Sequence, residues 1–215
     1  LTSAVVATPI PVAVGVALAH AYRGEKDATA VFFGDGAVEE GAFWESLNFA
    51  CLKRTPVIFV CEDNGFAVHT DQRTRHGYDS IDKIVSQFDC LPFKSSSTDA
   101  GVIYDIAVNA IQEVKKKKKP AFLHFDYYRY LEHVGVNEDF DAGYRSKKEF
   151  SKWYKMDPIL VARKKLVADG LKERDIQKIE QKIDENVVFA IDAAEKAPFP
   201  SKEKLYENVF HGKKN

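Results

Sequence analysis

At 215 residues and 45% hydrophobic, the chain is long enough to bury a full core, as one domain or one and a half. A net charge of −1 at pH 7 gives no bulk attraction to nucleic acid or to an anionic membrane surface. No apolar run is long enough to span a bilayer, and three cysteines without metal-type spacing point to a reducing compartment, with Cys51 and Cys61 read as core thiols.

The stretch from Leu1 to Ala19 is apolar, but it contains Pro9, Pro11 and Gly15 and lacks a basic leader, so it does not read as a signal peptide. The chain begins with Leu. It is read as an N-terminally truncated or processed piece, expected in the cytoplasm, with any organellar signal lost alongside the missing part. Pro11 to Arg23 is expected to be a helix of small residues, with proline suited to its first turn. Ala28 to Phe33 is a short strand, ended by Gly34-Asp35-Gly36. Glu39 to Arg54 has helical spacing, with Phe43, Leu47, Ala50 and Cys51 on one face. Pro56 stops that helix, and Val57 to Cys61 is a second buried-type strand.

Beyond it, Asp71 to Tyr78 is polar and basic and reads as a solvated loop, and His69 as a loop or structural histidine. Ile81 to Phe88 is a short helix, and Leu91-Pro92-Phe93 an extended piece. Asp99 is placed to cap a helix from Ala100 to Val114, striped by Ile103, Ile106, Ala107, Ala110, Ile111 and Val114. The run Lys115 to Lys119 suits a solvated helix end rather than a nucleic-acid site. Pro120 to Asp126 is a third strand, which Tyr127 to Tyr130 is expected to continue. Leu131 to Tyr144 has no period, as functional loops often do not. From residue 147 onward the pattern is helical: Lys147 to Lys155, Ile159 to Ala168 ended by Gly170, and an amphipathic stretch from Glu173 to Lys196. The tail after Pro200 is read as peripheral, or as an interface arm. The expected fold class is therefore α/β, a parallel sheet with flanking helices over residues 1–146, plus a C-terminal helical extension over 147–215.

A strand–helix–strand unit of this length is a parallel crossover, so both strands end at the same sheet edge. That edge is where open α/β sheets bind ligands. It would carry Asp35, an anionic oxygen ligand between two glycines, and Asn64, a neutral amide oxygen. One carboxylate, one amide and a turn carbonyl suit Mg²⁺, which takes its other ligands from water and phosphate. The amides of Gly36 and Ala37 can approach a phosphate closely. A magnesium-bridged diphosphate follows from these residue types.

The wording GDGAVEEGAFWESLNFA, then PVIFVCEDNGFA, resembles the alpha subunits of thiamine-diphosphate-dependent 2-oxo acid dehydrogenases of the pyruvate, branched-chain and acetoin types. The resemblance runs from about Val5 to Pro158. It implies the thiamine diphosphate-binding fold of the diphosphate-binding type, with Mg²⁺ held by Asp35, Asn64 and the backbone carbonyl of Phe66. Backbone atoms near Ala4 and Val6 would touch the cofactor's aminopyrimidine. The segment from Tyr128-Arg129 to Tyr144-Arg145 matches the family's active-site loop, and its histidine maps to His133, a cofactor contact and catalytic residue. Val134 stands where mitochondrial members carry a phosphorylatable Ser, so that switch is absent. Leu131-Glu132 replaces the usual small or basic neighbours. The resemblance further implies oxidative decarboxylation of a 2-oxo acid with acyl transfer to lipoyl. The implied partners are a beta subunit that contributes a catalytic Glu, a lipoyl-bearing acyltransferase, and a heterotetramer, with neither nucleic acid nor membrane. Two rivals stay open on the residues: a transketolase-type thiamine enzyme domain, and a truncated, non-catalytic assembly subunit.

Overall fold

The computed structural model describes residues 2–207. The tail from 208 to 215, part of the expected interface arm, lies outside the described residues. The chain divides into two compact units, Leu1–Ala162 and Arg163–Asn215.

The first unit is built on a four-stranded parallel sheet. Its strands are β1 (Thr29–Gly34), β2 (Val57–Asp63), β5 (Leu91–Ser95) and β6 (Ala121–Asp126), in the order β1-β2-β6-β5. A two-stranded antiparallel ribbon, β3 (Phe66–Ala67) and β4 (Thr70–Asp71), follows β2. Helix α1 (Pro9–Tyr22) precedes β1, α2 (Gly41–Lys53) joins β1 to β2, α3 (Ile81–Val85) precedes β5, and α4 (Ala100–Lys117) joins β5 to β6. Helices cover both faces, as a parallel sheet requires. The two-residue alternation of β2 divides the core. Val57, Phe59 and Cys61 face a cluster with Ile10 and Val14 of α1, Phe43 and Leu47 of α2, and Val85 of α3. Ile58 and Val60 face Ala110 and Val114 of α4. Phe43 has no solvent exposure and sits among four rings, with centroids 4.8 Å (Trp44), 5.4 Å (Phe33), 6.0 Å (Phe122) and 6.2 Å (Phe59) away.

Several local expectations are corrected. Helix α1 begins at Pro9 rather than Pro11. Helix α2 begins at Gly41, not Glu39, because Asp35–Glu39 winds as a 3-10 turn and Glu40 is extended before the helix opens. Tyr127 to Tyr130 does not continue β6. The neighbouring strands end at Asp63 and Ser95, so among the described residues no strand pairs with the chain beyond Asp126. The Tyr127 amide closes the sheet on the Asp63 carbonyl at 2.9 Å. The next tyrosines pack instead on α5 (Lys147–Tyr154), Tyr128 stacking on Trp153 and Tyr130 meeting Phe150 edge-on. Helix α3 stops at Val85 rather than Phe88. Ile111, placed on the apolar stripe of α4, is exposed. Asp99 caps α4 as expected, its carboxylate accepting the Gly101 amide at 2.9 Å. The lysine run ends α4, Lys117 pairing with Glu113 one turn earlier and Lys119 with Asp89.

Helix α6 (Pro158–Ala168) begins in the first unit, where Asp157 accepts the amides of Ile159 and Leu160. Helix α7 (Glu173–Lys196) makes up most of the second unit, in which Arg163 pairs with Glu173 and Glu180.

Candidate functional site

The parallel register sets Gly34 beside Glu62. The next residue on each chain therefore begins a turn at the same C-terminal edge of the sheet. After β1 the turn carries Asp35, 1% exposed. At the end of β2, Asp63 leads into Asn64 and Gly65, the last with φ +77°, a conformation glycine adopts without strain. The two turns adjoin: the backbone N–H of Asn64 favours the charged form of the Asp35 carboxyl. Gly36 is pressed against the ribbon, where an added Cβ would stand 3.0 Å from the Ala67 Cβ.

Burial, reinforced by the nearby Asp63 carboxylate, pushes the Asp35 carboxyl above its ordinary value. Opposing that push, Arg75 Nη2 donates to Asp35 Oδ2 at 2.6 Å. The Arg75 side chain is 8% exposed and also pairs with Glu39, which His76 Nε2 meets at 3.0 Å. The loop read as solvated therefore supplies a buried cation beneath the glycine turn. No spacing in that polar run marks which of its arginines folds inward. Arg73, two residues earlier, stays at the surface on Asp71.

Asn64 Oδ1 accepts the Phe66 amide at 2.9 Å, closing an Asx turn, and its Nδ2 donates to the Tyr127 hydroxyl at 2.9 Å. The turn is braced from behind by Asp63. Its Oδ1 accepts the Gly65 amide at 2.8 Å, and its Oδ2 accepts Gln72 Nε2 at 3.1 Å and pairs with His124 Nε2 at 2.9 Å. The other ring nitrogen of His124 meets Asp82 Oδ1 at 2.7 Å. Burial works against the charge on His124, but its two carboxylate partners outweigh that and raise its pKa. Asp63 is likewise penalised by burial, yet His124, Gln72 and the Gly65 amide hold it below the usual carboxylate range. An ionisable residue inside the apolar run of β6 was the available sequence signal for this network.

The loop after β6 folds around Arg145, 7% exposed. Arg145 Nε donates to Asp139 Oδ1 at 2.7 Å, and its Nη atoms reach the carbonyls of Arg129, Tyr130 and Leu131. Its guanidinium also lies over Tyr128, Phe140 and Tyr144, at 5.3 to 5.6 Å. Arg129 in turn reaches the Tyr144 hydroxyl at 2.6 Å and His133 Nδ1 at 3.1 Å. His69 stacks on Tyr144, in keeping with its structural reading.

One cleft of about 580 Å³ lies at this edge. All the residues singled out from the sequence line it: Ala4, Val6, Asp35, Gly36, Ala37, Asn64, Phe66 and His133, together with Glu39, Tyr127 and Arg129. Its floor thus presents a buried carboxylate, a side-chain amide and turn backbone, and its rim presents an imidazole. That donor set suits a hard divalent cation and an anionic oxygen ligand.

Residues 1–203 match the family model described as "Dehydrogenase E1 component". A pyruvate dehydrogenase E1 component subunit alpha from Zymomonas mobilis is 33% identical over 210 residues, 97% of this chain and 58% of that protein. The subunit of that name from Rickettsia bellii is 30% identical over 207 residues, 96% of this chain and 63% of the relative. The chloroplastic subunit alpha-3 from Arabidopsis thaliana is 33% identical over 94% of this chain and 48% of its own length. The chain thus spans about half to two thirds of the curated relatives it matches. Among solved structures, a transketolase mutant from Pichia stipitis superposes with a TM-score of 0.51 at 22% identity, covering 59% of this chain and 20% of that one, a likeness of fold.

Proposed function

The chain belongs to the dehydrogenase E1 component family, and from that membership we propose that it is the alpha-type, cofactor-holding part of a 2-oxo acid dehydrogenase that decarboxylates a pyruvate-like or branched-chain 2-oxo acid. The observation that carries the reading is the meeting of Asp35 and Asn64 in one cleft, with the glycine turn and His133 lining it. In this reading residues 1–146 hold the cofactor and 147–215 form the extension.

Asp35, the Asn64 amide oxygen and the Phe66 carbonyl hold Mg²⁺, and the amides of Gly36 and Ala37 donate to the diphosphate of thiamine diphosphate. Asn64 Oδ1 keeps a lone pair for the cation beside the one given to the Phe66 amide. The backbone around Ala4 and Val6 lies against the aminopyrimidine. The bound cofactor supplies an electron sink for the pair released as the 2-oxo acid loses carbon dioxide. His133 donates a hydrogen bond or proton to the substrate carboxylate side of the cleft, and Arg129 fixes its ring through Nδ1. The loop folded on Arg145 keeps water from the reacting atoms. A beta-type subunit completes the cleft, a lipoyl-bearing acyltransferase accepts the acyl group, and two alpha–beta pairs form a heterotetramer in a cytoplasmic or organellar compartment.

Titration of thiamine diphosphate into the assembled alpha–beta protein tests this reading. The wild type should bind in a Mg²⁺-dependent manner, and Asp35→Ala should abolish that binding while leaving the fold. Undiminished binding by Asp35→Ala would overturn the ligand assignment. His133→Ala should retain the cofactor and lose about 100-fold in turnover.

A further inference from the structure

The guanidinium of Arg75 lies behind the cleft rather than in it. Asp35 and Glu39 line the cleft, and Arg75 does not. A Cβ added at Gly36 would come 3.9 Å from Arg75 Nη1, so the guanidinium stands against the glycine turn itself. Its own segment fixes it there. The Arg75 amide donates to the Gln72 carbonyl and Arg75 Nε to the Thr70 carbonyl, each at 3.0 Å. Arg75 Nη2 donates to Asp35 Oδ2 at 2.6 Å, and Nη1 pairs with Glu39 Oε1. His76 Nε2 meets the same Glu39 oxygen at 3.0 Å. With 8% of the side chain exposed, water screens this charge little. One oxygen on each of two cleft carboxylates is thus committed to a fixed cation.

We propose that Arg75 is a positioning residue that sets which divalent cation the cleft accepts: by holding Asp35 Oδ2 and Glu39 Oε1 it leaves Asp35 a one-oxygen ligand and selects Mg²⁺ against Ca²⁺. The inference rests on the reading of Asp35 as a metal ligand. The two ions differ in what they require of oxygen. Ca²⁺ takes about six to eight oxygens, at about 2.3–2.6 Å, and commonly both oxygens of one carboxylate. Mg²⁺ takes an octahedral set and keeps several waters. A divalent ion on Asp35 Oδ2 would stand within about 5 Å of the guanidinium, and the two positive charges repel where little water intervenes. Chelation by both Asp35 oxygens is therefore disfavoured, and so is recruitment of Glu39 Oε1. That penalty falls on Ca²⁺, which uses the extra oxygens. It spares Mg²⁺, which completes its shell from water and phosphate. Removing the guanidinium strengthens the field of the carboxylates for both ions alike, so the signature lies in the ratio of the two and not in either affinity alone.

The assembled alpha–beta protein is stripped of divalent ions, and thiamine diphosphate binding is followed by equilibrium dialysis as magnesium chloride or calcium chloride is raised. The wild type should need at least about tenfold more Ca²⁺ than Mg²⁺ for half-saturation. Arg75→Met and Arg75→Gln should lower that ratio at least about fivefold. Arg75→Lys, which keeps the charge, should stay closer to the wild-type ratio than either neutral variant. Arg73→Met, at the exposed neighbour on Asp71, should match the wild type. The cofactor's own preference between the ions is common to all these proteins and cancels in the comparison. An unmoved ratio in the neutral variants, or a parallel loss of binding with both ions, would overturn the proposal, because an arginine that only supports the fold predicts one or the other. If neither neutral variant folds, the wild type decides: a ratio near one overturns the proposal, and tenfold or more upholds it. Asp35→Ala keeps the two readings apart. Undiminished binding by that variant removes the ligand assignment, whereas lost binding together with an unmoved Arg75 ratio removes only the role of Arg75.

Discussion

Arg145 is the post around which the loop from Leu131 to Tyr144 is wound. Its side chain is 2% exposed and its Asp139 partner 7%. Besides that ion pair it satisfies three carbonyls, those of Arg129, Tyr130 and Leu131. Arg145→Met keeps much of the volume and removes every donor. Breaking a buried ion pair costs about 3–5 kcal/mol. The loop can open to water and recover part of that, so the lower end applies, about 3 kcal/mol, or about a 100-fold shift in the loop's closed–open equilibrium. Hydrogen exchange reads this directly, because specific amides are protected when the loop is closed. Glu132 donates to the Asn137 carbonyl at 2.9 Å, and Ala142 and Gly143 donate to Asp139 and Phe140, each at 3.1 Å. These three amides should exchange about 100-fold faster in the variant. Amides of β2 and β6, whose ladders do not involve Arg145, should not change. Wild-type exchange rates at 132, 142 and 143 in Arg145→Met would refute the claim that this guanidinium organises the loop.

The His124 network predicts a pH profile. The folded pKa of His124 is raised, so its stabilisation is complete below the ordinary histidine value of about 6.5 and is lost as pH rises through the folded value. Asp63 and Asp82 are lowered, so theirs is present above about 3.9 and is lost as pH falls through their folded values. The urea midpoint should therefore peak between about pH 4 and 6.5, and His124→Gln should flatten the alkaline decline; an identical decline in both proteins would contradict the assignment. Phe43→Ala empties the centre of a four-ring cluster and should cost about 3–5 kcal/mol in urea unfolding; a loss below about 1 kcal/mol would mean the site collapses around the gap. Lys118 ends α4 at φ +51° and ψ +54°, a left-handed conformation that suits glycine. Lys118→Gly should gain about 1 kcal/mol in chemical denaturation, and a loss would show that the lysine side chain contributes more than its backbone strain costs.

Read alone, the residues determined the frame. Short apolar runs located β1, β2 and β6, the 3.6-residue stripes located the long helices, and the glycine and Asn-Gly punctuation located both turns. Parallel connectivity then required those turns to share an edge, which is why Asp35 and Asn64 were legible as a pair. Glu173–Lys196 emerges with the bounds its spacing implied, because its stripe is local. What only the tertiary structure decided are interactions between residues distant in sequence. Arg75 and Arg73 are alike as residue types, but the turn after β4 carries one under Asp35 and leaves the other in solvent. His124 becomes a brace for the Asn64 turn because β6 lies beside β2 with Asp82 across from it. Local periodicity reflects which face of an element is apolar. The partner of a buried charge depends on how separate elements dock, and no spacing along the chain encodes that.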